Sequence, residues 1–352
     1  MKFPINPPPP SMGEGEGGGG QNRGRLVPPP LHPLPPRGGK GLFTQEMDFT
    51  VELCMDLMPE LKGLGLNIQE LKGGITNRLY RVGSSNGHDY VFRLYGANTE
   101  LFIDRDAEME NLRRLEPFNV TPRLVKYLPE RNLTVVEFIP GYVLKNHDFL
   151  REDLWERIIR PIKTIHQSRA QLPSSFNPLT EVKRFYKILE GINLNYPEFD
   201  IQGTIRTLEK ISGIAAIPPS HYVPCHNDLL ADNFILTEEG RRHKEPMVLI
   251  DWEYGGMAPS YYDLADMFQE ILVPREVERN LLKVYWEDND LDLHQYLTDL
   301  FKPFPDIYWF LWSLIQLNIS TLPFDYYTYG KVKYENAQKN MDDLKHHHGL
   351  KI

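Results

Sequence analysis

The stretch from His226 to Asp266 leaves a chain of this length few folds to choose from. It reads C-H-N-D-L-L-A-D-N-F-I-L over Cys225–Leu236, V-L-I-D-W-E-Y-G-G over Val248–Gly256 and Y-Y-D-L-A-D over Tyr261–Asp266. The apolar runs Asn233–Leu236 and Met247–Ile250 flank a polar segment, Glu238–Lys244, so the spacing predicts a β-hairpin. Asp228 falls on the loop entering the first strand, Asn233 begins that strand, and Asp251 closes the second. Paired strands lie about 5 Å apart, which sets Asn233 beside Asp251 with Asp228 one loop away. Hard oxygen donors in this arrangement suit Mg²⁺ shared with phosphate oxygens. Any one of the three alone would be an ordinary turn or cap residue; their joint spacing carries the chemistry.

The pattern H-x-D-x-x-x-x-N followed by I-D has the spacing of a kinase catalytic loop and its metal aspartate. In that arrangement an Asp takes the proton of the attacking hydroxyl, an Asn five residues on holds a metal ion, and a later Asp holds the nucleotide-bound metal. Asp228, Asn233 and Asp251 occupy these places.

The preceding region reads as a small antiparallel sheet carrying one helix. Strands are predicted at Asn67–Lys72, Arg78–Val82, Tyr90–Tyr95, Arg123–Tyr127 and Thr134–Ile139, with a hairpin turn at Ser84–Gly87. Helices are predicted at Gln45–Lys62 and Asp104–Leu115. Gly73-Gly74-Ile75-Thr76-Asn77 lies between the first two strands, where backbone N–H groups can face phosphates. Gly74, Thr76 and Asn77 are the candidate contacts, although two glycines also serve turn geometry alone. Arg93, within V-F-R-L-Y, is the candidate phosphate cation, with Glu108 as its carboxylate partner and Glu110 as second choice. Glu137-Phe138-Ile139-Pro140-Gly141 ends the sheet, and the backbone at Glu137 and Ile139 would meet an adenine edge. From Leu150 onward the pattern is mainly helical (Glu152–His166, Leu179–Leu189, Ile201–Ile211). The expected class is therefore α+β. A nucleotide-binding lobe is expected over 45–139 and a catalytic and substrate-binding lobe over 140–352.

Residues 1–44 are set apart by PPPP, GGGG, PPP and PLPP. Such a segment buries too little apolar area to offset its ordering entropy and is expected to be disordered. Met47 would serve as an alternative start. The net charge of −9 falls on the remainder, because the first forty residues are on balance basic. It argues against a general nucleic-acid binder and favours cationic substrates. No apolar run approaches the roughly 18 residues that cross a bilayer. Two cysteines, Cys54 and Cys225, make no disulfide framework and suit a reducing compartment. A cytoplasmic protein without stable membrane insertion is expected, and a homodimer is left open.

G-G-I-T-N-R-L-Y-R-V, Y-V-F-R-L-Y-G, C-H-N-D-L-L-A-D-N-F-I-L and I-D-W-E-Y together resemble the choline/ethanolamine kinases over about residues 65–340. These are small-molecule kinases of the protein-kinase-like fold also used by aminoglycoside phosphotransferases. The resemblance implies transfer of a phosphoryl group from ATP, with Mg²⁺, to the hydroxyl of a small amino alcohol, choline ahead of ethanolamine. It adds Glu253 as a second metal ligand, Asp263 as a brace for the catalytic loop and His226 as a support for loop geometry. Y-W-F-L-W-S-L-I-Q at Tyr308–Gln316 resembles the family's tryptophan-bearing helix, where Trp309 and Trp312, three apart, share a face. Phe324–Tyr329 matches the segment that supplies a tyrosine, here Tyr329. With Tyr254 these form an aromatic box, and Glu270 would add the opposing charge. Aromatic faces hold a quaternary ammonium at about 0.5–2 kcal/mol each, though paired aromatics on a helix are also common core. The rival expectations are an aminoglycoside- or thiamine-type kinase and a non-catalytic quaternary-ammonium binder.

Overall fold

In the computed structural model, residues 49–71, 77–96, 102–192, 196–237, 247–287, 290–320 and 324–352 are described. The expected tail, Gly74 and Thr76 lie outside them. Five strands form one antiparallel sheet: β1 (Leu66–Leu71), β2 (Asn77–Ser84), β3 (Asp89–Tyr95), β4 (Leu124–Leu128) and β5 (Leu133–Glu137), in the order β1-β2-β3-β5-β4. All five fall on the predicted runs to within two residues. Their inner faces bury Tyr80, Val82, Phe92 and Val135 together with Cys54 and Met58.

The first predicted helix is cut short. α1 spans Val51–Leu57, capped by the Thr50 side chain, which accepts from the Leu53 amide. Pro59 then ends it, since the residue before a proline is driven out of helical conformation, and a 3-10 turn covers Pro59–Leu61. α2 (Arg105–Leu115) begins as expected at Asp104, whose carboxylate caps the Ala107 amide.

After Glu137 the chain leaves the sheet through Pro140 into the short strand β6 (Gly141–Val143). Helices α3 (Trp155–Gln167), α4 (Pro178–Gly191) and α5 (Ile201–Ala215) follow. Two small sheets then frame the motif region. β7 (Val223–Cys225) pairs antiparallel with β10 (Gly256–Ala258), and β8 (Phe234–Thr237) pairs with β9 (Met247–Leu249) and β6. The hairpin of β8 and β9 is the predicted one; β6, β7 and β10 are three residues each, too short to show alternation. α6 (Ser260–Ile271), α7 (Arg275–Trp286), α8 (Leu291–Phe301), α9 (Pro303–Ile319) and α10 (Tyr326–His348) complete the fold. Among the described residues no helix is long and apolar enough to cross a membrane.

α9 is buried along most of its length, and α10 lies against it at glycine distance. A Cβ at Gly330 would fall inside the van der Waals radius of Ser313 Oγ and 3.1 Å from Ser313 Cβ. Gly330→Ala is therefore expected to lower stability by about 1–3 kcal/mol. Thermal or denaturant unfolding measures this; an unchanged midpoint would show that the two helices part without cost.

Candidate active site

The ladder between β7 and β10 sets Cys225 opposite Gly256, so the loops after Cys225 and before Gly256 leave one small sheet side by side. Asn227 ties them together, its Nδ2 donating to the Tyr254 carbonyl at 3.0 Å. Asp228, in the first loop, is 7% exposed. Its backbone oxygen accepts from Asn233 Nδ2 at 2.9 Å. A short 3-10 turn over Ala231–Asn233 brings that amide back toward the loop. Asn233 thus precedes β8 instead of opening it, and its carbonyl accepts from the Ile250 amide at 3.0 Å. The register places it opposite Ile250, one residue short of the expected partnership with Asp251.

Asp251 has a φ of 66°, a left-handed conformation that Asp tolerates better than most residues. This bend at the end of β9 turns its carboxylate toward Arg93, with Nη2 2.9 Å from Oδ1. Arg93 also meets Glu108 at 2.8 Å, as expected, and Glu253 as well. Glu110 instead pairs with Arg113 and Arg114 near the surface. The carboxylate oxygens of Glu108, Asp251 and Glu253 lie within 4.8 Å of one another. Glu253, expected as a metal ligand, is held by two guanidiniums, Arg93 and Arg105. The sequence reading missed Arg105, although its position three residues before Glu108 is a helix-neighbour spacing.

The loop geometry is fixed from behind. Asp263 on α6 accepts the amides of His226 (3.0 Å) and Asn227 (2.7 Å) and meets His166 Nε2 at 2.9 Å. Burial pushes the Asp263 carboxyl up, but the contacts from His166 and His226 outweigh it and hold the pKa below the ordinary range. His166, expected to be a packed helix-end histidine, is packed and also a link, its Nδ1 2.6 Å from Tyr285 Oη. His226 meets the Ile250 carbonyl at 2.8 Å and stacks edge-on against Trp252. Burial lowers its pKa, so it sits in the loop as a neutral spacer. For Asp228, burial first and then Asp266, Asp251 and Glu270 drive the pKa well up.

The aromatic candidates form one file. Tyr254 and Trp309 are 5.1 Å apart between ring centroids, Trp309 and Trp312 5.9 Å, and Trp312 and Tyr329 6.4 Å, each pair edge to face. Trp309 and Trp312 are 5% and 6% exposed. Glu270 differs from expectation: Lys333 Nζ lies 2.6 Å from it, 3.7 Å from Asp306 and 5.8 Å from the Tyr329 ring centroid. Its charge is thus countered by an internal ammonium, while Asp266 and Asp306, which the sequence reading did not select, add further buried carboxylates. Asp306 is pushed up to about 8, chiefly by burial.

At the other edge, the Glu137 amide donates to the Arg123 carbonyl at 2.9 Å, so its N–H is engaged within the protein. Ile139 is buried with Ile235 and Val248, which form an apolar wall. Asn77 opens β2 opposite Tyr95, with Oδ1 3.4 Å from the Gly96 amide.

An antiparallel sheet bearing an arginine–glutamate pair, joined to a helical body with this loop arrangement, is the protein-kinase-like architecture. Residues 68–338 match the model of the choline/ethanolamine kinase family. The chain belongs to that family and is an enzyme of the phosphotransferase class. It is 27% identical to ethanolamine kinase 1 of Homo sapiens over 82% of this chain and 70% of that one. The crystal structure of a choline kinase from Streptococcus pneumoniae superposes with a TM-score of 0.69 at 24% identity, covering 83% of this chain and 98% of that chain. A spectinomycin phosphotransferase shares the fold more distantly, with a TM-score of 0.54 at 18% identity over 81% and 98%.

Proposed function

We propose that the protein transfers the terminal phosphoryl group of ATP, in the presence of Mg²⁺, to the hydroxyl of a small cationic amino alcohol. The observation that carries this reading is the position of the Asp228 loop. The loop is tied through Asn227 to the Tyr254 carbonyl, next to Glu253 of the Arg93–Glu108–Asp251–Glu253 cluster, and through Asp266 to Trp309. Residues 45–139 would serve mainly the nucleotide and residues 140–352 the acceptor.

In this reading Asp228 orients the acceptor hydroxyl and takes its proton, a task suited to a carboxylate whose proton affinity is raised by burial. Asp228 Oδ1 is buried without a hydrogen-bond partner, an unmet demand that a hydroxyl or a cation would fill. Asn233 commits its Nδ2 to Asp228, leaving its side-chain oxygen Oδ1 as the ligating atom, and Asp251 supplies the second hard oxygen. These donors fit magnesium, which when bound would draw charge from the phosphate oxygens. Arg93 would do the same from the sheet side, held by Glu108. The larger part of the rate would come from positioning and charge stabilisation.

For the acceptor, the file of rings from Tyr254 to Tyr329 supports choline, because a quaternary ammonium is held by aromatic faces. A second reading, ethanolamine, is favoured by the buried carboxylates Asp266, Glu270 and Asp306, which can accept N–H donors, and by the human relative's activity. ADP release measured with choline, ethanolamine, thiamine and an aminoglycoside decides among them. Turnover on choline or ethanolamine is the expected result. Turnover confined to thiamine or the aminoglycoside, or none with any of the four, would overturn the proposal.

A further inference from the structure

The carboxylate of Asp266 is fully buried, yet neither of its oxygens meets a cation within ion-pair distance among the described residues. One oxygen, Oδ2, accepts the Leu229 amide at 2.7 Å. Leu229 directly follows Asp228, so this bond fixes the peptide that carries the candidate base. The other, Oδ1, accepts the indole N–H of Trp309 at 3.1 Å. Trp309 in turn meets both Tyr254 and Trp312 edge to face. A single side chain therefore joins the catalytic loop to the middle of the ring file.

We propose that Asp266 is a positioning residue that aligns Asp228 with an amine held in the ring file. The inference rests on the functional reading above. Its physical content is that both N–H donors converge on one rigid acceptor, so the separation between the loop and the indole cannot drift. Burying an ionisable group without a cationic partner is costly unless it is hydrogen-bonded, and here each oxygen of Asp266 accepts one N–H. A shift of about 1 Å in a reacting group can cost about 100-fold in rate, so even a slight loosening should show in turnover.

Two near-isosteric variants isolate the bridge. Asp266→Asn keeps the shape but replaces one acceptor by an NH₂ group that must face an N–H. Trp309→Phe keeps an aromatic ring in the file and removes only the donor. In steady-state assays with the better of choline and ethanolamine, each is expected to lower kcat about 10-fold with the ATP KM unchanged. The double variant should fall within about 2-fold of Asp266→Asn alone, because both changes break the same link. Far-UV circular dichroism and the unchanged ATP KM establish that each variant is folded.

If Trp309 served only as a face for the amine, Trp309→Phe would raise the amine KM and leave kcat intact, and the bridge would be refuted. Effects of the two substitutions that multiply would refute it as well, as would an undiminished kcat in Asp266→Asn. A wild-type enzyme inactive on both amines would overturn the functional reading and the bridge together, which separates that failure from failure of the bridge alone.

Discussion

Asp228→Ala is expected to reduce phosphorylation of the amino alcohol by about 1,000-fold or more while leaving ATP affinity within about 3-fold of wild type. General-base assistance alone contributes about 100- to 10,000-fold, and the other carboxylate on its loop, Asp232, is exposed and paired with Lys145. Asp251 is turned toward Arg93, Asp263 is committed to two backbone amides, and Asp266 is committed to Leu229 and Trp309. None of these can take over without dismantling what it holds. In the proposed reading, nucleotide binding draws on Arg93 and the sheet, which the substitution does not touch. Retention of more than about a tenth of wild-type turnover would remove Asp228 from the role of base.

The second large effect is expected at Trp312. Trp312→Ala should raise the amine KM about 10- to 30-fold, the upper part of the range that loss of one aromatic face implies, with the ATP KM unchanged. Its ring lies between Trp309 and Tyr329, so its removal opens the file at both neighbours. Trp312→Phe should recover part of the loss. Equal increases in the two Michaelis constants would mean that the ring supports the helical body in general and not the amine in particular.

The fold was legible because each of its signals is local. Alternation marked the five strands, Asp104 marked the start of a helix, and the two apolar runs around a polar turn marked the hairpin. What escaped was set by tertiary partners. Glu253 and Glu270 look alike in sequence as spare acids near a motif, yet one is clasped by Arg93 and Arg105 and the other by Lys333. Lys333 lies 63 residues beyond Glu270 on another helix, and no periodicity links them. Asp266 was in view within Y-Y-D-L-A-D, but its two partners, Leu229 and Trp309, come from different elements. The short strands β6, β7 and β10 were invisible for another reason: three residues cannot establish a period of two. Helix geometry allowed only one of Glu108 and Glu110 to face Arg93, since residues two apart point to different sides, but which of them does is settled by the sheet.

The ladder between Cys225 and Gly256 bears on how the enzyme is assembled. Both loops that carry the principal acidic groups emerge from the same pair of three-residue strands, and Asn227 stitches them again beyond it. Neither loop can reach its final shape while the other is undone. In the proposed reading, the phosphate side of the centre and its proton-accepting side should therefore form together during folding, so that a partly formed molecule would hold neither half of the chemistry ready.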